Sequence, residues 1–244
     1  MAVAAILSPQ GNVESYQPLM RYLEKELGEQ VVLVQRRTYE ETNELLARNG
    51  VDMAFICTGA YLDGMKKKQM KLLAVPCING KTTYRALLIV AASSPYRTFD
   101  DLRGKTFAFT DPLSNTGYLY PLSFMKSQGL RPETFFNRTM FTYSHDRSIR
   151  AVVEGVVDGA SVDNLVFEYV CRRFPSIKSK VRVIWKSREF GMPPVVVPYQ
   201  TSAEKKQKLL HLLLSLNRSE EGRKVLGTLG IQKFINPTTD LYRQ

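Results

Sequence analysis

Short apolar runs and stretches of helical periodicity alternate along this chain. Residues 3–7 form an apolar run of strand length. Tyr16, Leu19, Met20, Leu23 and Leu27 then recur at helical spacing, and Gly28 stops them. Residues 31–34, 53–56 and 72–75 are further short runs, and a helix over 40–49 with Leu45 and Leu46 inward ends at Gly50. Runs without alternation predict strands buried on both faces, as in a largely parallel sheet between helices. Residues 86–91 make a longer strand, followed by the breaker Ser93-Ser94-Pro95.

The rhythm then restarts. A strand at 106–109 leads to a helix over 116–128 closed by Gly129, and a second helix carries Ile149, Val152 and Val153 up to Gly155. A strand at 159–162, a helix at 165–173 and a strand at 181–185 come next. Gly191-Met192-Pro193-Pro194 is a second breaker, before a strand at 195–197 and helices near 202–216 and 220–229. The pattern predicts an α/β protein of two lobes, each a central sheet flanked by helices. One lobe comprises residues 1–92 plus 194–244, and residues 93–193 form the other, inserted. Two connecting segments would make a hinge, with a ligand cleft between the lobes at the carboxyl ends of strands.

Composition narrows the function classes. Hydrophobic residues are 44% of 244, enough for a real core, which excludes a disordered chain. No apolar run approaches the ~20 residues that cross a bilayer. Lys and Arg number 34 against 23 acidic residues, but they are dispersed, and no basic helix interleaves with aromatics. Nucleic acid is therefore not an expected partner. Cys57, Cys77 and Cys171 match no zinc or redox spacing, and two histidines offer little to a metal. No metal or cofactor is expected. Cys57 and Cys77 could pair if their strands are neighbours, although buried free cysteine is common. Met1-Ala2 runs straight into apolar sequence without a leader pattern, so either the protein is cytoplasmic or a leader or anchor was removed.

Three segments carry candidate chemistry. In residues 107–118 a strand, a turn and a helix start follow one another, and Ser114, Asn115 and Thr116 stand beside the free amides of that helix start. Such a terminus suits an oxyanion, and ordinary helix capping accounts for the same residues equally well. His145, in Tyr143-Ser144-His145-Asp146, opens the next helix and could donate to an anion or simply bond a nearby carbonyl. Asp163 ends the strand at 159–162 and could orient His145, bind a ligand amine or hydroxyl, or cap the following helix. In the first half, the segment Gly50–Tyr61 repeats the strand–turn–helix design and ends its strand at Thr58; Tyr39 and Tyr84 stand near element ends. No nucleophile elbow, phosphate-binding Gly-rich loop or paired carboxylates emerge.

Together the segments DLRGKTFAFTDPLSNTGYLYP, SHDRSIRAVVEGVVDGASVD and GVDMAFICTGAY resemble the phosphate/phosphite/phosphonate substrate-binding proteins of ABC transporters, a branch of the type II periplasmic binding fold. The resemblance implies that Ser114 and Thr116 grip phosphorus oxygens, that His145 contacts the ligand, and that Tyr39 and Tyr84 face it from the first lobe. It sets Asp163, and more loosely Glu189, where aminophosphonate binders meet the ligand amine. Asn115 departs from the family's usual hydroxyl at the middle position and leaves the ligand's identity open. The implied role is extracytoplasmic: holding a small phosphorus oxyanion and delivering it to a transporter permease, with the membrane reached through that partner or a removed anchor. An alternative is a sensor module fused to signalling domains. An enzyme on this fold, such as a thiamine-pyrimidine synthase relative, fits less well with only two histidines.

Overall fold

The computed structural model describes residues 1–243. In chain order the elements are β1 (Ala2–Val3), α1 (Pro9–Leu27), β2 (Val34–Gln35), α2 (Tyr39–Ala47), β3 (Ala54–Phe55), α3 (Thr58–Lys66), β4 (Met70–Cys77) and β5 (Thr83–Ala91). β6 (Thr106–Phe109), α4 (Tyr120–Ser127), α5 (Pro132–Phe135), β7 (Arg138–Phe141), α6 (His145–Val153), β8 (Gly159–Asp163), α7 (Asn164–Arg173) and α8 (Pro175–Lys180) follow. The chain closes with β9 (Val181–Gly191), β10 (Val195–Pro198), α9 (Ala203–Ser215), α10 (Glu220–Leu229) and β11 (Lys233–Ile235).

The chain divides into two compact units. Unit 1 comprises Met1–Ala5, Pro9–Thr83 and Phe190–Gln244; unit 2 comprises Ile6–Ser8 and Tyr84–Glu189. The expected boundaries at 92/93 and 193/194 therefore move. Residues 84–92 belong to unit 2 because β5 pairs antiparallel with β8, Leu87 opposite Val162 and Ile89 opposite Ala160. Breaker residues 93–95 follow a strand of unit 2 and do not mark the crossing.

Unit 1 holds a six-stranded sheet in the order β11-β4-β10-β3-β1-β2. β1 runs parallel to β2 and β3, while β10 is antiparallel to β3 and β4. The sheet is mixed because residues 195–198 re-enter it after the excursion through unit 2. Leu19 and Leu23 of α1, Leu209 and Leu213 of α9, and Leu226 of α10 pack on Leu73, Val195 and Val197. Local chemistry sets the helix ends: Thr38 Oγ1 accepts from Glu41 N at 3.2 Å, and Gly230 closes α10 at φ 67°.

Unit 2 holds a five-stranded sheet, β7-β6-β8-β5-β9. Leu87 and Ile89 of β5 join a core with Ile149, Val152, Val166 and Val170, while Leu88 and Val90 join a second core with Phe107, Phe109, Phe135 and Phe136. A strand apolar on both faces is the physical reason residues 86–91 show no alternation. Phe107 stacks on Phe136 at 4.5 Å and Phe99 on Phe135 at 4.7 Å. Each pair adds about 0.5–1.5 kcal/mol beyond burial. Cys57 and Cys77 are both buried and no disulfide joins them. Among the described residues no helix is long and apolar enough to cross a membrane.

Candidate functional site

The candidate site is assembled inside unit 2, where β6 and β8 end and α6 and α7 begin. After β6 the chain passes Thr110 and Asp111, both buried. Asp111 Oδ1 accepts from Leu113 N at 2.8 Å and the Asp111 carbonyl from Ser114 N at 2.8 Å, which folds the turn. The expected α-helix at 116 is instead a wide π-helical turn, Asn115–Leu119, with Leu119 N donating to Ser114 O at 2.9 Å; α4 starts only at Tyr120. Ser114 caps this turn, its Oγ accepting from Gly117 N at 3.0 Å. Gly117 is required by space: a Cβ there would lie 2.4 Å from Thr110 Oγ1.

His145 opens α6 and is fully buried. Burial holds its pKa below the ordinary value, and the nearby carboxylates of Asp163, Asp146 and Asp111 only partly oppose this. The ring is therefore neutral, and its contact with Asp163 Oδ2, 3.6 Å from Nε2, is not an ion pair. Asp163 N donates to His145 Nδ1 at 3.2 Å, so the ring proton sits on Nε2. Thr110 Oγ1 also lies 3.2 Å from Nδ1, and Ser114 Oγ lies 3.4 Å from Nε2.

This wiring is not that of a hydrolytic triad. In a triad the carboxylate holds Nδ1–H and the serine faces a bare Nε2. Here a backbone amide takes Nδ1, and Nε2–H is a donor that cannot remove the Ser114 proton. What the arrangement offers is chiefly donors: an imidazole N–H, hydroxyls and an amide, each neutral and buried, with the Asp163 carboxylate 3.6 Å from Nε2.

The other expected residues distribute as follows. Asn115 Nδ2 donates to Tyr84 Oη at 3.4 Å. Tyr84 therefore belongs with unit 2, and its expected place in the first lobe is corrected, because β5 is a strand of the second sheet. Thr116 is 0% exposed and its Oγ1 has no hydrogen-bond partner within the protein, while its carbonyl accepts from Ser161 Oγ at 2.6 Å. Asp163 caps α7, with Oδ1 accepting from Val166 N at 2.6 Å, and its hydrogen bond to the His145 ring comes from its backbone N–H. Glu189 pairs with Arg85 at 2.9 Å. Tyr39 and Thr58 lie in unit 1. Tyr39 is buried at the start of α2, and Thr58 Oγ1 donates to Gly191 O at 2.8 Å, so that hydroxyl proton serves the fold.

Two further buried residues stand beside this cluster and carry no signal in the sequence by type. Thr110 braces His145, and a threonine at a strand end gives no signal by type. Ser144 precedes α6, where a serine ordinarily caps, yet its Oγ is buried and unpartnered and makes no cap bond. A groove of about 500 Å³ on unit 1, lined by residues including Met1, Leu27, Val32 and Lys208, contains none of these groups.

Two α/β units, each a sheet flanked by helices, with the chain returning to the first, define the class of two-lobed periplasmic binding proteins. The sequence matches, over residues 1–242, the family described as ABC transporter, phosphonate, periplasmic substrate-binding protein, and the chain belongs to that family. It is 25% identical over 232 residues to the phosphonates-binding periplasmic protein of Escherichia coli K12, covering 93% of this chain and 68% of that one. It is 28% identical over 184 residues to the phosphate-import protein PhnD of Mycolicibacterium smegmatis, covering 71% of this chain and 57% of that one. A solved binding-protein component of an ABC phosphonate transporter from Pseudomonas aeruginosa superposes with a TM-score of 0.93 at 25% identity, covering 99% of this chain and 82% of that one. The family is one of transport substrate-binding proteins, not of enzymes.

Proposed function

We propose that this chain binds a small phosphorus oxyanion, a phosphonate or phosphate, at the Ser114–Asn115–Thr116 turn and His145, and passes it to an ABC-transporter permease outside the cytoplasm. The observation that carries the reading is Thr116: a fully buried hydroxyl without a protein partner, in the turn whose Ser114 Oγ lies 3.4 Å from Nε2 of a neutral histidine. A buried hydroxyl is costly unless a ligand oxygen completes it. The names of the relatives from Escherichia coli and Mycolicibacterium smegmatis support phosphorus as the central atom.

The ligand favoured is one without an amine. Asp163 Oδ1 accepts from Val166 N and Glu189 pairs with Arg85, so an ammonium would compete with a partner already present on each carboxylate. Calorimetric titration with methylphosphonate, 2-aminoethylphosphonate, phosphite, phosphate and sulfate tests the reading. Saturable binding of methylphosphonate, phosphite or phosphate is expected, with no gain from the amine. Absence of binding by every phosphorus compound would refute the function; tightest binding of the aminophosphonate would refute the ligand class.

A further inference from the structure

We infer that Ser144 is an additional ligand-binding residue, contributing a hydroxyl to the oxyanion site from the N-cap of α6. The inference rests on the phosphorus-oxyanion reading above and adds to it a residue from another element.

Ser144 stands where a serine ordinarily caps a helix. Thr38, Asp163, Ser202 and Ser219 all do so, each accepting a backbone N–H of the first turn. Ser144 does not: its side chain makes no cap bond, although the residue heads the nine-residue helix α6. Its backbone carbonyl is used, accepting from Thr142 Oγ1 at 3.0 Å and from Ser148 N at 3.2 Å. The hydroxyl alone is left over, on a residue 1% exposed, with no protein partner. A buried hydroxyl that forgoes an available cap bond is poised for a group the protein does not supply.

Its neighbours place it at the site. Tyr143 N donates to Thr110 O at 2.7 Å, and His145 Nδ1 lies 3.2 Å from Thr110 Oγ1. Ser144 is thus held between two residues that are both pinned to Thr110, the residue that braces the donor imidazole. Tyr143 adopts φ 60°, a left-handed conformation unusual for a residue with a side chain, which turns the chain into α6 at this point. Thr116 Oγ1 and Ser144 Oγ are then two unpartnered buried hydroxyls in unit 2, one in the turn whose Ser114 Oγ lies 3.4 Å from His145 Nε2 and the other on the residue just before His145.

The test compares the intact protein with Ser144→Ala by two measurements. Titration with methylphosphonate and with inorganic phosphate should show about tenfold weaker binding for the variant, the loss of one hydrogen bond to a charged ligand. Thermal unfolding without ligand should give a melting temperature equal to or above that of the parent, because an unsatisfied hydroxyl has been removed. Ser144→Gly, which helix N-caps accept, should show the same loss of affinity. Unchanged affinity in both variants, or a clearly lower ligand-free melting temperature for Ser144→Ala, would overturn the assignment. If the parent protein binds neither compound, the function itself fails and this residue's role with it.

Discussion

Each hydroxyl at the site has a separable job, and the substitutions divide accordingly. Thr116→Val should weaken ligand binding by about 1–3 kcal/mol while leaving ligand-free stability intact, since the lost Oγ1 has no protein partner. Ser114→Ala should do both kinds of damage, because Ser114 Oγ also caps the turn through Gly117 N; a missing cap costs about 1 kcal/mol. Calorimetry and urea unfolding on the two variants separate the roles. At this scale the sequence was legible in placement: Ser114, Thr116 and His145 stand, buried, at the element starts their types and positions predict. Tyr84 was misplaced because nothing in residues 83–91 says which sheet the strand joins. Ser144 escaped because a serine before a helix has an ordinary explanation, and only an unmade bond reveals another.

At the scale of elements, the strand–turn–helix segment after β6 depends on Gly117. A methyl there would meet Thr110 Oγ1 at 2.4 Å, Thr110 Cβ at 2.5 Å and Ser114 Oγ at 2.8 Å. Gly117→Ala should therefore destabilise the protein by about 1–3 kcal/mol through overpacking and also abolish measurable binding, since it displaces the groups that hold His145 and cap the turn. Thermal unfolding and titration of one sample check both. The amphipathic helices were legible from their periodicity, and β6 was read to the residue. Two strands were not. β7 reads Arg-Thr-Met-Phe, with two exposed residues, and carries no apolar run. β11 has three residues and is fixed by pairing with β4, a partner distant in sequence. The π-helical turn was read as an α-helix because the two differ by one residue in hydrogen-bond register, which apolar spacing does not encode.

The whole molecule shows its buried histidine through pH. The folded protein holds His145 below its ordinary pKa, mainly through burial, so the unfolded chain takes up that proton first as pH falls. Stability present above about pH 6.5, the unperturbed histidine value, should be lost as pH drops through that value toward the folded pKa. Urea unfolding of the ligand-free protein between pH 8 and pH 5 should show the decline, and His145→Gln should flatten it. Ligand acts oppositely: at 100 times its Kd, methylphosphonate should raise stability by about 2.7 kcal/mol, read as a concentration-dependent melting temperature. Two α/β halves and a return of the chain were legible in the breaker clusters, but the crossings fall at 83/84 and 189/190. Breakers mark where a strand ends, and pairing decides which sheet owns it.

The donors gathered around His145 carry no net positive charge. A binding site that relied on lysine or arginine would lose affinity steeply as salt is added, because counterions compete for fixed charge. Neutral dipoles buried from solvent offer salt nothing to screen. With the ligand at the proposed site, a protein of net charge +11 would gather anions in a way that depends on ionic strength, while its grip, once made, would not. Association rates for methylphosphonate should fall between 20 mM and 500 mM sodium chloride, whereas dissociation rates should stay nearly constant.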